Sequence, residues 1–489
     1  MRPIEVVLVV GAVGLVLTWM AGARARRWVP ALLAVVAGVH LFVEGWRLAM
    51  LPAYVVIGLG LIGALVRSGP PAPKRRGWWT AGRAVLGTVV LVLVAAVPVL
   101  WPVIRLPKPS GPYAVGQTWL VVVDSSRKER FSTEPGAIRR FPVKIWYPAT
   151  PGSTGTPAEY ADPREFAAAG LPTALFGHVR LMKTNALIGA PLATDQRFPL
   201  LVFSHGYGGT FGQNTVQMEE LASRGYVVAS IAHPGESAWA PFPDGGGIPM
   251  DTATTNRMAR RATPEAMKEM LADMAKFDSI ATPEEGVPML RSFLAKTDEP
   301  LRSESVAEWA ADTRVLLDLF ATFDHGGADT PFHGRVDLDR IGVFGMSYGG
   351  ATAGEFCRLD DRCKAGLNID GGQYGGLMDD SLRVPFMIMS SSQAYGLHLP
   401  VLAVTRAPAF LVKVPETTHV GLTDLPLLAP RVFRWIGLSG SLDADRRSRI
   451  MTAYVVAFFD SFLKKEPSPL LEGPSAEFPE VSIVKRNLP

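Results

Sequence analysis

Cysteine is nearly missing from this chain: Cys357 and Cys363 are the only two among 489 residues. Two thiols six positions apart, with no histidines at zinc-finger spacing beside them, exclude a disulfide-built scaffold and a structural zinc site. They leave two readings open, a short-loop disulfide or a pair of buried free thiols. Excess charge is scarce as well. Lys and Arg total 49 against 45 Asp and Glu, a formal net charge of +4, which offers no argument for nucleic-acid binding. No Walker motif or dinucleotide-binding fingerprint stands in a fitting context, and no repeat of solenoid period is visible. Nothing in the sequence calls for a metal or an organic cofactor.

Apolar residues are what the chain has in excess, at 48%, and the excess is localised. Four apolar runs, 4–22, 29–45, 49–66 and 84–104, approach bilayer-spanning length. They predict a membrane domain over 1–105, of about four spans, and leave 106–489 as a globular domain. Basic residues crowd two of the connections. Arg24, Arg26 and Arg27 lie between the first two runs, and Arg67, Lys74, Arg75, Arg76 and Arg83 between the third and fourth. Only Arg2 precedes the first run, and only Arg47 separates the second from the third. The positive-inside rule then puts the first and third connections in the cytoplasm, and the N-terminus and the large domain outside. The expectation is a multi-pass cell-membrane protein with an extracytoplasmic globular domain and the lipid bilayer as a partner. A cleavable signal peptide ending at Ala21-Gly22-Ala23 competes for the first run, but three more apolar runs favour an anchor. His40 and Glu44, one helical turn apart near the end of the second run, read as interfacial. The basic stretch 69–77 reads as a cytoplasmic loop, and 105–113 as the linker leaving the membrane.

From residue 118 onward, short apolar runs alternate with amphipathic ones, the pattern of an α/β protein. Runs 118–123 and 141–149 read as an opening pair of strands, and 198–206, 226–234, 340–345, 364–370, 385–390 and 409–416 as further strands. Helices are expected at 213–224, at 348–357, around 445–463 and over 305–320, where Val306, Trp309, Thr313, Leu316, Leu317 and Phe320 share a face. Continuous apolar strands between helices predict a mainly parallel sheet covered on both sides. Residues 236–304 interrupt the order, with Thr263-Pro264-Glu265 as a helix start and Met267, Met270, Leu271 and Met274 at helical spacing behind it. This insertion reads either as a lid over a site or as a helix packed on the core.

Chemistry gathers at Gly345-Met346-Ser347-Tyr348-Gly349. G-x-S-x-G alone is weak in a chain with 48 glycines; its setting, a strand entering and a helix leaving, makes it a nucleophile elbow. A serine nucleophile needs a base, and the base an orienting acid. In the chain order serine, acid, histidine, only His398 and His419 follow Ser347. His419, in a loop just past the last expected strand, is the stronger base, and His398 reads as structural. Asp370, ending the strand after the nucleophile helix, is the acid; Asp379 and Asp380 are more distant alternatives, and Glu416 lies too close to the histidine in sequence. The oxyanion donors are the backbone N–H of Tyr348 and that of Tyr207 in the glycine-rich turn 203–209, with His205 read as structural.

Taken together, "FPVKIWYPA", "LVFSHGYGG", "GMSYGGAT", "AGLNIDGG" and "ETTHVGLTD" resemble the α/β-hydrolases of the platelet-activating factor acetylhydrolase type (plasma form) and their bacterial lipase and esterase relatives, over roughly 115–465. The resemblance implies an α/β-hydrolase fold, the triad Ser347, Asp370 and His419, oxyanion donors at Tyr207 and Tyr348, and no cofactor. Two glycines after Asp370, a less polar sequence after His419 and the four apolar runs depart from the family pattern. The expected activity is hydrolysis of carboxylic esters, with lipid or short-chain acyl esters as substrates. An acyltransferase with the same triad and an inactive membrane scaffold are the rival readings.

Overall fold

A computed structural model describes residues 1–66, 78–132, 134–167, 173–253, 255–256, 263–297, 300–324, 326 and 330–487. Eleven of its strands form one sheet, in the order Ser482–Arg486, Ala409–Lys413, Phe386–Ser390, Cys363–Ile369, Val336–Met346, Phe198–Ser204, Val227–Ile231, Ile138–Ala149, Ala114–Lys128, Lys183–Ile188 and Pro157–Glu159. The six strands from Ala409–Lys413 through Val227–Ile231 pair in parallel. The opening pair, Ala114–Lys128 and Ile138–Ala149, is antiparallel, and Ile138–Ala149 joins Val227–Ile231 antiparallel.

Side-chain alternation divides the core between the two faces of this sheet. Leu200 and Val202 point into one apolar cluster with Leu316, Phe320 and Phe356, from helices Pro300–Asp324 and Tyr348–Leu359. Leu201 and Phe203 point into the other with Leu221, Ile450 and Phe458, from helices Thr215–Ser223 and Ala444–Phe459. Both strand faces are therefore dry, which is why these strands read as continuous apolar runs rather than alternating ones. Each fully buried Leu or Phe contributes about 1.5–3 kcal/mol through removal from water. The layout is the α/β-hydrolase fold. Strands Pro157–Glu159, Lys183–Ile188 and Ser482–Arg486 were not expected; the first two close one end of the sheet and the third the other, and none carries a continuous apolar run to mark it.

Residues 236–304 hold a small hairpin, Trp239–Pro241 with Gly247–Pro249, then helices Pro264–Lys276 and Pro283–Thr297. The first helix starts at Pro264, at the expected capping sequence. Phe277 and Leu290 are buried in the main core, and Arg291 donates to the Met378 carbonyl at 2.9 and 2.7 Å, so this part packs on the flank of the fold. Met274 is half-buried; the side chains of Met267, Met270 and Leu271 lie outside the described residues. Cys357 and Cys363 form a disulfide between helix Tyr348–Leu359 and the following strand, Cys363–Ile369.

Ahead of the sheet come helices Pro3–Met20, Trp28–Val43, Leu51–Val66 and Trp78–Leu100. Among the described residues three segments are long and apolar enough to cross a membrane: Pro3–Met20, Leu48–Val66 and Thr80–Leu100. Trp28–Val43, with 16 residues, is shorter. The expected basic loop 69–77 lies outside the described residues, as do Arg67, Lys74, Arg75 and Arg76. The last apolar helix stops at Leu100 rather than 104, because the Trp101 ring packs on Phe176 at 5.6 Å and its Nε1 donates to the Leu175 carbonyl at 3.0 Å. Nor is 105–113 a loose linker. Leu106 is buried, and the Ser110 N–H donates to Glu220 at 2.8 Å.

His40 and Glu44 are packed into a buried polar cluster at this junction. His40 Nε2 lies 3.4 Å from Glu44 and 3.7 Å from Glu5, while Arg47 donates to both Glu5 oxygens at 2.6 and 2.8 Å. Arg47 also donates to the Trp101 carbonyl, which ties the helices to the start of the globular part.

Candidate active site

Strand Val336–Met346 delivers Ser347 to a sharp turn, and helix Tyr348–Leu359 begins at the next residue. Ser347 adopts φ +55° and ψ −116°, a conformation a non-glycine residue holds only at a cost of about 1–3 kcal/mol. Its N–H donates to the Ile369 carbonyl at 2.7 Å, which fixes the strained turn. The flanking glycines are sterically required. A Cβ on Gly345 would stand 2.2 Å from the Gly349 backbone, and one on Gly349 would stand 1.9 Å from the Ser204 carbonyl oxygen.

Asp370 follows the neighbouring strand Cys363–Ile369, and His419 follows Ala409–Lys413 in the loop beyond it. His419 Nδ1 lies 2.8 Å from Asp370 Oδ2, and His419 Nε2 lies 2.9 Å from Ser347 Oγ. With Nδ1–H donating to the carboxylate, Nε2 is left to accept the serine proton. Asp370 is buried, yet the His419 side chain is 46% exposed, so the constellation opens to solvent at its reactive end. Burial would push the Asp370 carboxyl up; the His398 and His419 rings beside it outweigh that and hold it below the usual carboxylate range. The Ser391 N–H donates to Asp370 Oδ1 at 2.7 Å. Asp379 and Asp380, the alternative acids, pair with Arg291 and Arg358. The glycine after Asp370 has a reason too: a Cβ on Gly371 would come within 2.0 Å of the Ser347 carbonyl oxygen. His398 is buried with Nε2 3.4 Å from Asp370 Oδ1, a second ring against the same carboxylate.

The turn after Phe198–Ser204 lies across from Ser347; a Cβ on Gly206 would be 3.2 Å from Ser347 Cβ. The Gly206 N–H donates to Gln213 Oε1 and the Gly208 N–H to the Glu236 carbonyl, both at 2.8 Å, which fixes the turn on either side of Tyr207. The rings of Tyr207 and Tyr348 meet edge to face at 5.5 Å. Ser347, Tyr348, Asp370, His419 and Tyr207 thus lie together at the C-terminal ends of the parallel strands.

Sequence reasoning missed a second chain of the same residue types behind this turn. His233 Nδ1 lies 2.8 Å from Asp312 Oδ2 and His233 Nε2 lies 3.1 Å from Ser204 Oγ. Here Ser204, His233 and Asp312 are 1%, 0% and 0% exposed, so no substrate reaches them. Their work is positional. The His233 ring stacks on Trp309 at 3.9 Å, Trp309 Nε1 donates to Glu236 at 2.7 Å, and Trp309 meets both His205 and Tyr348 edge-on at 4.9 Å. The His233 main-chain N–H donates to His205 Nε2 at 3.2 Å. Helical spacing puts Trp309 on one face with Val306 and Leu316, but it gives no sign of the indole N–H partner, because Glu236 is 73 residues away in sequence.

Burial lowers His205 to a pKa of about 3 and His233 to about 4, and Asp312 already faces the Arg139 and Arg127 guanidiniums, so both imidazoles are neutral in the folded chain. Between pH 6.5 and 4 the unfolded chain binds protons at these rings that the folded chain refuses. Stability therefore falls as pH drops through that window, by about 3 kcal/mol for His233 alone. Buried Glu219, held up at about 7, works in the opposite direction over the same window, so the readout is a difference: the gap in unfolding temperature between the native chain and His233→Gln should shrink from pH 6.5 to 4, and a gap constant with pH would contradict a neutral, buried ring.

Glu5, His40 and Glu44 offer three metal-ligand atoms within 4.8 Å of one another. Arg2 and Arg47 already bind Glu5, so a cation there would meet two guanidiniums.

Fold and comparisons define a carboxylic ester hydrolase of the α/β-hydrolase class, acting on a small-molecule or lipid ester. Within that class the chain is similar to the platelet-activating factor acetylhydrolases: the family "Platelet-activating factor acetylhydrolase, isoform II" matches residues 101–244. A platelet-activating factor acetylhydrolase of Cavia porcellus is 22% identical over 369 residues, 73% of this chain and 78% of that protein. A protein of Arthroderma benhamiae named "Probable 1-alkyl-2-acetylglycerophosphocholine esterase" is 25% identical over 446 residues, 81% of this chain and 98% of that protein. A ferulic acid esterase from Streptomyces cinnamoneus, of solved structure, aligns with a TM-score of 0.59 and 27% identity over 78% of this chain and 100% of its own.

Proposed function

We propose that the chain is a membrane-anchored serine esterase. Ser347 attacks the acyl carbon, His419 takes the serine proton and returns it to the leaving alkoxide, and Asp370 holds the imidazolium that forms between. The backbone N–H groups of Tyr207 and Tyr348 stabilise the oxyanion, and water, activated by His419, resolves the acyl-enzyme. The observation that carries this reading is the 2.8 and 2.9 Å relay from Asp370 through His419 to a serine held at φ +55°. Acetyl or other short acyl esters of glycerophospholipids are the proposed substrates, on the strength of what the relatives are named for. The apolar N-terminal helices anchor the domain, and their basic connections orient it outside the cytoplasmic membrane.

The test is product analysis with the full chain in detergent. A 2-acetyl glycerophospholipid should yield free acetate, and its long-chain diacyl counterpart should react far more slowly. Transfer of acetyl to an added alcohol in preference to water would make the protein an acyltransferase, and no turnover by a folded chain would make it an inactive scaffold. Protease added to intact cells should cut the catalytic domain; protection would reverse the orientation.

A further inference from the structure

The four N-terminal helices do not close on one another completely. Between them lies a partly open cleft of about 490 Å³, lined by apolar side chains such as Leu15, Val56, Leu59 and Leu86, the last two of them exposed. Its rim carries two exposed arginines, Arg24 and Arg27, from the connection between the first two helices. The volume falls within the range of ligand-binding pockets. Left empty, the walls would lose dispersion contacts, and water would find too few polar partners along them. Glycine keeps part of the space open: Gly63 lines the cavity, and a Cβ there would meet no atom within 4 Å.

We propose that this cavity is a binding site for an anionic phospholipid, with one acyl chain between the helices and the phosphate at Arg24 and Arg27. Two positive charges beside an apolar slot fit a ligand with a hydrocarbon tail and net negative head, and a basic pocket between spans on the cytoplasmic side is where such lipids are recognised. A zwitterionic lipid offers the same tail, but its ammonium group offsets the attraction. The site is separate from the catalytic edge and takes a lipid that is held, not cleaved. It rests on the proposal that these helices lie in a bilayer, and not on the triad.

The experiment is native mass spectrometry of the full chain, delipidated in detergent and titrated with phosphatidylglycerol or phosphatidylcholine. One saturable phosphatidylglycerol site is expected, preferred by about tenfold over phosphatidylcholine. Arg24→Gln with Arg27→Gln should bring the two lipids to near parity, and Gly63→Leu should remove the site for both. As a second readout, phosphatidylglycerol brominated on its acyl chain should quench tryptophan emission saturably, with a smaller amplitude in Trp19→Phe, because Trp19 lines the same cavity. Equal, non-saturable uptake of both lipids by every variant would overturn the proposal. Release of the native chain from membranes by alkaline carbonate would overturn the membrane reading beneath it. Hydrolysis of a water-soluble ester should be unchanged in all of these variants, which establishes that the catalytic domain is folded.

Discussion

Ester hydrolysis by the Ser347→Ala chain should fall by roughly 10⁴-fold or more, with no change in fold. The substitution removes one oxygen, at a half-buried position whose hydroxyl contact is the 2.9 Å approach to His419. Alanine tolerates the strained turn no worse than serine does, and the Ile369 carbonyl still receives the N–H that fixes it. Loss of activity with the unfolding temperature retained would therefore report chemistry, not stability. A variant keeping more than about a hundredth of native kcat/KM would move the nucleophile elsewhere. Ser204, the serine of the buried relay, is no substitute, since it is 1% exposed and its histidine is fully enclosed.

Gly349→Ala should be nearly as damaging, by a different route. The added methyl would stand 1.9 Å from the Ser204 carbonyl oxygen and 2.7 Å from that of His205, both backbone atoms at the end of the strand that leads into the 206–209 turn, the proposed oxyanion turn. Neither can rotate away as a side chain would. Either the nucleophile helix retreats from the sheet or the turn does, and the approach of Gly206 to Ser347 is lost in both cases. Overpacking against fixed backbone costs about 1–3 kcal/mol or more, and a misplacement of about 1 Å at the reacting atoms costs on the order of 100-fold in rate. The expected result is a lowered unfolding temperature together with at least that loss of kcat. A native kcat in Gly349→Ala would show that the elbow is looser than these distances require.

The parallel strands and the elbow were legible because each leaves a local mark. Strands buried on both faces, such as 198–203 and 386–389, are unbroken apolar runs, and Gly345, Ser347 and Gly349 are fixed by contacts within a few residues or at one strand crossing. Asp370 and His419 were reachable by chain order and elimination, with no knowledge of distance. What could not be read is carried by main-chain donors and by pairs far apart in sequence. The Ser391 N–H on Asp370 belongs to a residue type that gives no hint of the role. Asp312 reaches His233 across 79 residues, and the order rule that selected His419 also set His233 aside. The polar cluster of Glu5, His40, Glu44 and Arg47 was half visible, as the one-turn spacing of His40 and Glu44; the contacts from Glu5 and Arg47 that complete it were not.

The most direct test of the account is covalent. An alkyl fluorophosphonate, which phosphonylates an activated serine, should label the full chain once, and peptide mass spectrometry should place the adduct on Ser347, with labelling abolished in His419→Ala. An adduct on any other residue, or undiminished labelling in the absence of His419, would contradict the proposed relay from Asp370 through His419 to Ser347.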